Sequence, residues 1–148
     1  MSSTVVLDAS ALLCLLNDEP GADQVSDVLT RSVIGATNLA EVVSKLRERG
    51  LSLDEVREAL GGLQLDVRAL SPAQAFIIGD LHPTTRSLGL SLGDWACIAL
   101  AMDLQAEVFT TDAALAGVNA GITITDVRRR QNNSKTVFSR HARQKSVK

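Results

Sequence analysis

The stretch Val5-Val6-Leu7-Asp8-Ala9-Ser10-Ala11-Leu12-Leu13 decides how the rest of the chain is read. Three apolar residues, two of them β-branched, form a short run suited to a buried strand, and Asp8 stops it. Residues 11–16 then read as a helix, which Asn17-Asp18-Glu19-Pro20 ends. A strand, an acidic junction and a helix is a pattern that returns further along.

Residues 21–30 suit a second helix, and residues 32–36 a short strand with Val33 and Ile34 as its apolar pair. Thr37-Asn38 is a helix-start signal, after which Leu39, Val42, Val43 and Leu46 recur at helical spacing until Gly50. Residues 52–60 form another helix, ended by Gly61-Gly62. The alternation Leu63, Leu65, Val67, Ala69 predicts a strand over residues 63–70. Ser71-Pro72 opens the next helix, with proline in its first turn. Residues 92–104 are apolar nearly all round, so this helix is expected to be buried. Val108-Phe109 forms a strand, Thr111-Asp112 caps a short turn of helix, and residues 122–124 form a last strand. Strands that alternate with helices predict an α/β domain on a mostly parallel sheet.

At 148 residues the chain can bury a core of its own, and with 45% apolar residues it is no disordered polypeptide. No run approaches the length of a membrane span, and the N-terminus lacks the pattern of a secretory leader, so a cytoplasmic protein is expected. Cys14 and Cys97 each sit in apolar segments and read as small core residues. Four aromatics, Phe76, Trp95, Phe109 and Phe138, are too few for a base-stacking RNA surface. The net charge of −2 conceals two halves. Residues 1–127 hold 7 Lys or Arg against 17 Asp or Glu, whereas residues 128–148 hold 8 Lys or Arg and no acid. We therefore divide the chain into a domain over 1–127 and a basic, flexible tail over 128–148.

In an open parallel sheet, ligands bind outside the carboxyl ends of the strands. Here those junctions are acidic: Asp8, Glu41, Asp94 and Asp112. Each acid alone has a structural reading. Asp8 and Asp112 are good N-caps, Asn38-Leu-Ala-Glu41 has capping-box spacing, and Ser91-Leu-Gly-Asp94 is a similar box with aspartate. Helical periodicity places Glu41 away from the apolar stripe, at the surface. Taken together, clustered carboxylates repel and raise one another's pKa unless a hard divalent cation such as Mg²⁺ or Mn²⁺ shares the site. Such ions activate water and stabilise charge on a phosphoryl group under in-line attack. No rival constellation competes: His82 and His141 are far apart, His82 reads as a solvated turn residue before Pro83, and no glycine-rich phosphate loop occurs.

Val5-Val-Leu-Asp8-Ala-Ser10, Asn38-Leu-Ala-Glu41, Gly89-Leu-Ser-Leu-Gly-Asp94 and Thr110-Thr-Asp112, in that order, strongly resemble the PIN-domain family. The Leu-Ser-Leu-Gly-Asp block before an apolar helix is most similar to the VapC-type toxins of bacterial toxin–antitoxin pairs. The resemblance covers about residues 4–127. It implies a three-layer fold with five parallel strands in the order 3-2-1-4-5, flanked by helices. It implies a metal-dependent endoribonuclease, with Asp8, Glu41, Asp94 and Asp112 as the acidic set and Asp8, Asp94 and Asp112 on Mg²⁺ or Mn²⁺. It also implies that Ser10 and Thr110 are hydroxyl partners at the site and that Asn38 orients the Glu41 helix. Implied partners are an RNA substrate, a small cognate antitoxin protein in a hetero-oligomer, and a second copy of the chain in a homodimer.

Relatives commonly carry a basic residue after the third acid, where this chain has Trp95. Its burial in the core of the apolar helix is expected. The tail is the other departure. Arg128, Arg129, Arg130, Lys135, Arg140 and Arg143 could recruit RNA through phosphate contacts, or simply stay solvated. The rival to an enzyme is a non-catalytic PIN scaffold that binds RNA or a protein. A receiver domain or a haloacid-dehalogenase-type phosphatase fits less well, since the latter needs Asp-x-Asp where the chain has Asp8-Ala9-Ser10.

Overall fold

The computed structural model describes residues 3–85 and 88–129. Five strands run parallel in the order β3-β2-β1-β4-β5. Strand β1 (Val5–Leu7) is central, between β2 (Ser32–Gly35) and β4 (Glu107–Thr110); β3 (Asp66–Arg68) and β5 (Ile124–Asp126) are the edges. The expected sheet and its order are therefore those observed.

Because strand side chains alternate between faces, β1 feeds two cores at once. Val5 and Leu7 pack with Ala11, Val25, Val28, Phe109 and Val127, on the side of α1 (Ala9–Leu16) and α2 (Ala22–Val28). Val6 packs with Val33, Cys97, Leu100, Ala101 and Val108, on the side of α6 (Leu92–Leu104). All three β1 residues are buried, which is why the run lacks a polar position. A third cluster joins α1 to α3 (Ala36–Glu48) and α4 (Leu53–Gly61) through Leu12, Ile34, Val42, Leu46 and Val56. Helix α5 (Pro72–Thr85) packs on α6, and α7 (Ala113–Ala116) is a single turn. No helix among the described residues is long and apolar enough to cross a membrane.

Several local expectations are corrected. Helix α3 begins at Ala36, capped by the backbone of Gly35, so Asn38 lies inside its first turn and forms no capping box with Glu41. The side chain of Asn38 is instead drawn across to the carbonyl of Gly93. The strand expected over 63–70 shrinks to three exposed edge residues, because Leu63 and Gln64 turn, with Gln64 at φ +51°. The last strand lies two residues later than expected, where Ile124 pairs with Val108. Helix α5 continues past Pro83, so His82 is no turn residue; its ring meets that of Trp95 edge-on at 4.7 Å. Trp95 itself is partly buried, on the edge of a cluster formed by Leu90, Ile98, Leu115 and Val118. Both cysteines are buried and free, as their apolar setting suggested.

Candidate functional site

Asp8 follows β1 at the carboxyl edge of the sheet and caps α1. It is only 4% exposed, so its charge must be met inside the protein. Three donors meet it. The backbone N–H of Ala11 (2.8 Å) and the hydroxyl of Ser10 (2.7 Å) donate to Oδ1, and the hydroxyl of Thr110 donates to Oδ2. Both hydroxyl oxygens accept in turn, Ser10 from the Thr111 N–H and Thr110 from the Asp112 N–H, each at 2.9 Å. Ser10 and Thr110 thus tie β1 to the end of β4, which lies beside it in register. Burial nonetheless holds the Asp8 carboxyl above the usual range; the three hydrogen bonds oppose that rise, and the charge of Asp94 adds to it.

Asp94 arrives from the opposite layer. Ser91 and Asp94 form the expected capping box at the start of α6, with the Ser91 N–H donating to Asp94 (2.9 Å) and the Asp94 N–H donating to Ser91 (3.2 Å). Glu41 comes from the first half of α3 and is exposed as a residue, as its periodicity requires. Its carboxylate rests over Gly93, where a β-carbon would lie only 1.6 Å from Oε1. The Glu41 carboxyl is also held above the usual range, first by desolvation and then by Asp94 and Asp8, with Lys45 opposing. Cys97, one helical turn below Asp94 and fully buried, feels all three acids, which together with burial push its thiol well up and leave it inert.

The structure therefore brings Asp8, Glu41 and Asp94 into one electrostatic group, with Ser10, Thr110 and Asn38 around them. Asn38 is 2% exposed and donates to the Gly93 carbonyl at 3.1 Å, while its own Oδ1 is buried with no partner among the described residues. Asp112 lies next to the group through its N–H, but its exposed carboxylate turns the other way and caps α7 at Ala114 (2.9 Å). Of the basic candidates, Arg128 and Arg129 are exposed, and Arg128 pairs with Asp126 at 3.5 Å. Arg130, Lys135, Arg140 and Arg143 lie outside the described residues.

The donor set suits a hard cation, since it offers only carboxylate and hydroxyl oxygens and, among the described residues, no cationic side chain bonds to the buried Asp8. As the side chains stand, however, no group of three His, Cys, Asp or Glu among the described residues is close enough to hold a metal. The reason is visible in the bonds: Asp94 and Asp112 are both turned to helix caps. Gly93 is the residue that sequence reasoning missed. It was legible only as part of the Leu-Ser-Leu-Gly-Asp block, and nothing local marks it as a neighbour of Glu41.

The fold is similar to solved structures of toxin–antitoxin complexes. For VapBC2 from Rickettsia felis, bound to a promoter DNA fragment, the TM-score is 0.67 at 14% identity, covering 82% of this chain and 97% of that one. For VapBC-1 from nontypeable Haemophilus influenzae it is 0.66 at 18% identity, covering 84% and 98%. For DNA-bound VapBC from Salmonella typhimurium it is 0.64 at 18% identity, covering 84% and 98%. At these identities the likeness is one of fold. A search of curated proteins finds no match. The profile of the PIN domain matches residues 5–120, a span that runs from β1 through α7 and takes in every acidic junction from Asp8 to Asp112, and on that match the chain belongs to the PIN domain family.

Proposed function

We propose that this protein is a metal-dependent endoribonuclease, the toxin of a toxin–antitoxin pair. The observation that carries the reading is the convergence of Asp8, Glu41 and Asp94 from three separate elements: Asp8 follows β1, Asp94 opens α6, and the Glu41 carboxylate rests over Gly93 beside Asp94. The same proposal divides the chain into a domain over 1–127, in keeping with the full burial of Val127, and a basic tail from 128, although Arg128 and Arg129 continue a helical turn begun at Val127. Asp8 and Asp94 would hold Mg²⁺ or Mn²⁺, joined by Asp112 once it leaves its cap. A divalent cation bound there supplies an activated water and positive charge opposite a phosphodiester.

The protein's own part is positioning. Ser10 and Thr110 favour the charged form of Asp8 against its burial and fix its two oxygens, since each hydroxyl has one proton and spends it on the carboxylate. Their 3.2 Å approach to each other is then a contact without a proton between them. To Glu41, whose carboxylate rests over Gly93 and is held above the usual range, we assign the role of accepting a proton from water.

Similarity to VapBC complexes supports a small antitoxin as partner. The chain offers it an apolar groove between α3, α4 and β3, lined by Leu39, Val43, Leu53, Val56, Leu60 and Val67, of which Leu53 and Val67 are more than 40% exposed. Homodimerisation belongs to the same proposal. A non-catalytic scaffold is the second reading, favoured by one observation: Asp94 and Asp112 both spend oxygens on helix caps. The test is cleavage of a labelled single-stranded RNA with chelator, Mg²⁺ or Mn²⁺, alongside an RNA-binding measurement under the same conditions. Binding without cleavage in either metal leaves the scaffold reading standing.

A further inference from the structure

We propose that Gly93 is a positioning residue: the missing side chain in the first turn of α6 makes the seat that holds the Glu41 carboxylate beside Asp94 and Asp8. The inference rests on the nuclease reading for its chemistry, but its geometry does not. Gly93 lies in a helix and is not among the residues with positive φ, so its backbone is one that alanine would adopt. Glycine is less favourable than alanine inside a helix, so its presence asks for a reason. The usual reason is close approach of another backbone, but here the nearest atoms beyond α6 itself are those of a side chain. The three heavy atoms nearest an added β-carbon are Oε1 (1.6 Å), Cδ (2.7 Å) and Oε2 (3.3 Å) of Glu41. Helix α3 grips the same glycine twice, one turn apart: Asn38 donates to its carbonyl and Glu41 lies over its α-carbon. The bond from Asn38 fixes α3 against α6, and the bare α-carbon lets the carboxylate come down onto the helix start, where the macrodipole is positive. A β-carbon would drive Oε1 from 1.6 Å to at least 3.0 Å, a displacement of 1.4 Å or more. The carboxylate is the tip of a flexible side chain, so it would move aside and the fold would stay.

The experiment is Gly93→Ala, with Glu41→Asp made in both backgrounds. G93A is expected to fold and to melt no lower than wild type. Its metal-free crystal structure should show the Glu41 carboxylate off the helix start, Mn²⁺ affinity by calorimetry should fall about tenfold, and cleavage should fall on the order of 100-fold, the scale for a misplacement of about 1 Å. In the wild-type background E41D should cost about tenfold. In the G93A background, where the carboxylate is already displaced, it should cost no more than about twofold, which is the non-additivity of a shared contact. A carboxylate unmoved in the metal-free variant, or additive losses, would overturn the proposal. Should G93A fail to fold, E41A/G93A decides: recovery of the fold supports the seat, and continued unfolding shows that the backbone, and not Glu41, needs the glycine. If the wild type neither binds Mn²⁺ nor cuts RNA, the nuclease reading fails, and the metal-free structure still decides the seat.

Discussion

Replacing Asp8 by asparagine separates a charge held for chemistry from a charge held for the fold. Asp8 is 4% exposed and accepts from the Ala11 N–H, the Ser10 hydroxyl and the Thr110 hydroxyl. With its oxygen at the Oδ1 place, an asparagine still accepts from Ala11 and Ser10. Its NH₂ group then donates to Thr110, whose freed proton turns to Ser10, 3.2 Å away. One hydroxyl rotation thus gives every group a partner except the second N–H of the new amide. Three charge-assisted bonds become neutral ones, a loss, while the desolvation of the charge and its repulsion by Asp94 disappear, a gain. We expect these to balance within about 1 kcal/mol, or 2–4 °C in the metal-free melting temperature. Asp8→Ala leaves the Ala11 N–H and one hydroxyl buried without acceptors, and should cost on the order of 3–5 kcal/mol and 10 °C or more. The pH dependence has a definite sign. Asp8 and Glu41 are raised in the folded state, so above the ordinary carboxylate pKa of about 4 the unfolded chain binds fewer protons than the native one. Their contribution is therefore full below that pH and is lost as pH rises through the folded values; Asp8→Asn should flatten that decline. With Mn²⁺ at a hundredfold excess over Kd, the wild type should gain about 2.7 kcal/mol, or 5–10 °C, and the variant clearly less. The assay is melting curves of the three proteins from pH 4 to 8, with chelator and with Mn²⁺. A metal-free Asp8→Asn that melts 10 °C low, or a wild type indifferent to Mn²⁺, refutes the reasoning.

Other outcomes follow from single contacts. Asp94→Asn keeps an oxygen for the Ser91 N–H, so it should abolish RNA cleavage while the melting temperature moves by no more than about 2–4 °C. Ser52→Ala removes half of the capping box that joins Ser52 to Glu55 at the start of α4, a helix that carries none of the four candidate acids, and should cost about 1 kcal/mol of stability with cleavage unchanged. Deleting residues 131–148 removes Lys135, Arg140, Arg143, Lys145 and Lys148; if these contact RNA, the slope of log affinity against log salt should become shallower by about 3, with cleavage of a saturating short substrate retained. An unchanged slope would return the tail to a solvated segment.

What could be read from sequence follows the range of the interactions involved. Helix α6 was legible to the residue because its apolar run and its Ser91–Asp94 box are both local signals. The sheet order came with the resemblance, and the buried character of β1 came from Val5-Val6-Leu7 alone. The errors lie where a distant partner overrides a local motif. Asn38 looks like a cap by spacing, yet a buried amide gains more from the Gly93 carbonyl 55 residues away. Residues 63–70 alternate like a strand, but β3 has one neighbour and keeps only three residues. His82 before Pro83 looks like a turn, and packing against Trp95 keeps it helical. For the site, the three converging acids and both hydroxyls are legible in the sequence, and so are the caps made by Asp94 and Asp112; which of the two uses an acid's oxygens serve is not, because a cap and a ligand use the same oxygens.

The bond between Asp8 and Thr110 joins residues 102 positions apart, and it bears on the order in which the molecule can be built. Synthesis delivers β1 first, yet its second neighbour, β4, is made only at residues 107–110. Until then β1 carries an open, wholly apolar edge, and Asp8 lacks the hydroxyl that answers its second oxygen. Long-range closures of this kind are slow, since loop entropy is spent before any contact repays it. A chain cut short before β4 thus has neither a complete sheet nor a complete acidic site, and its exposed edge is of the kind that pairs with other chains. Truncated products of this gene should accordingly appear as inactive aggregates, not as small active nucleases.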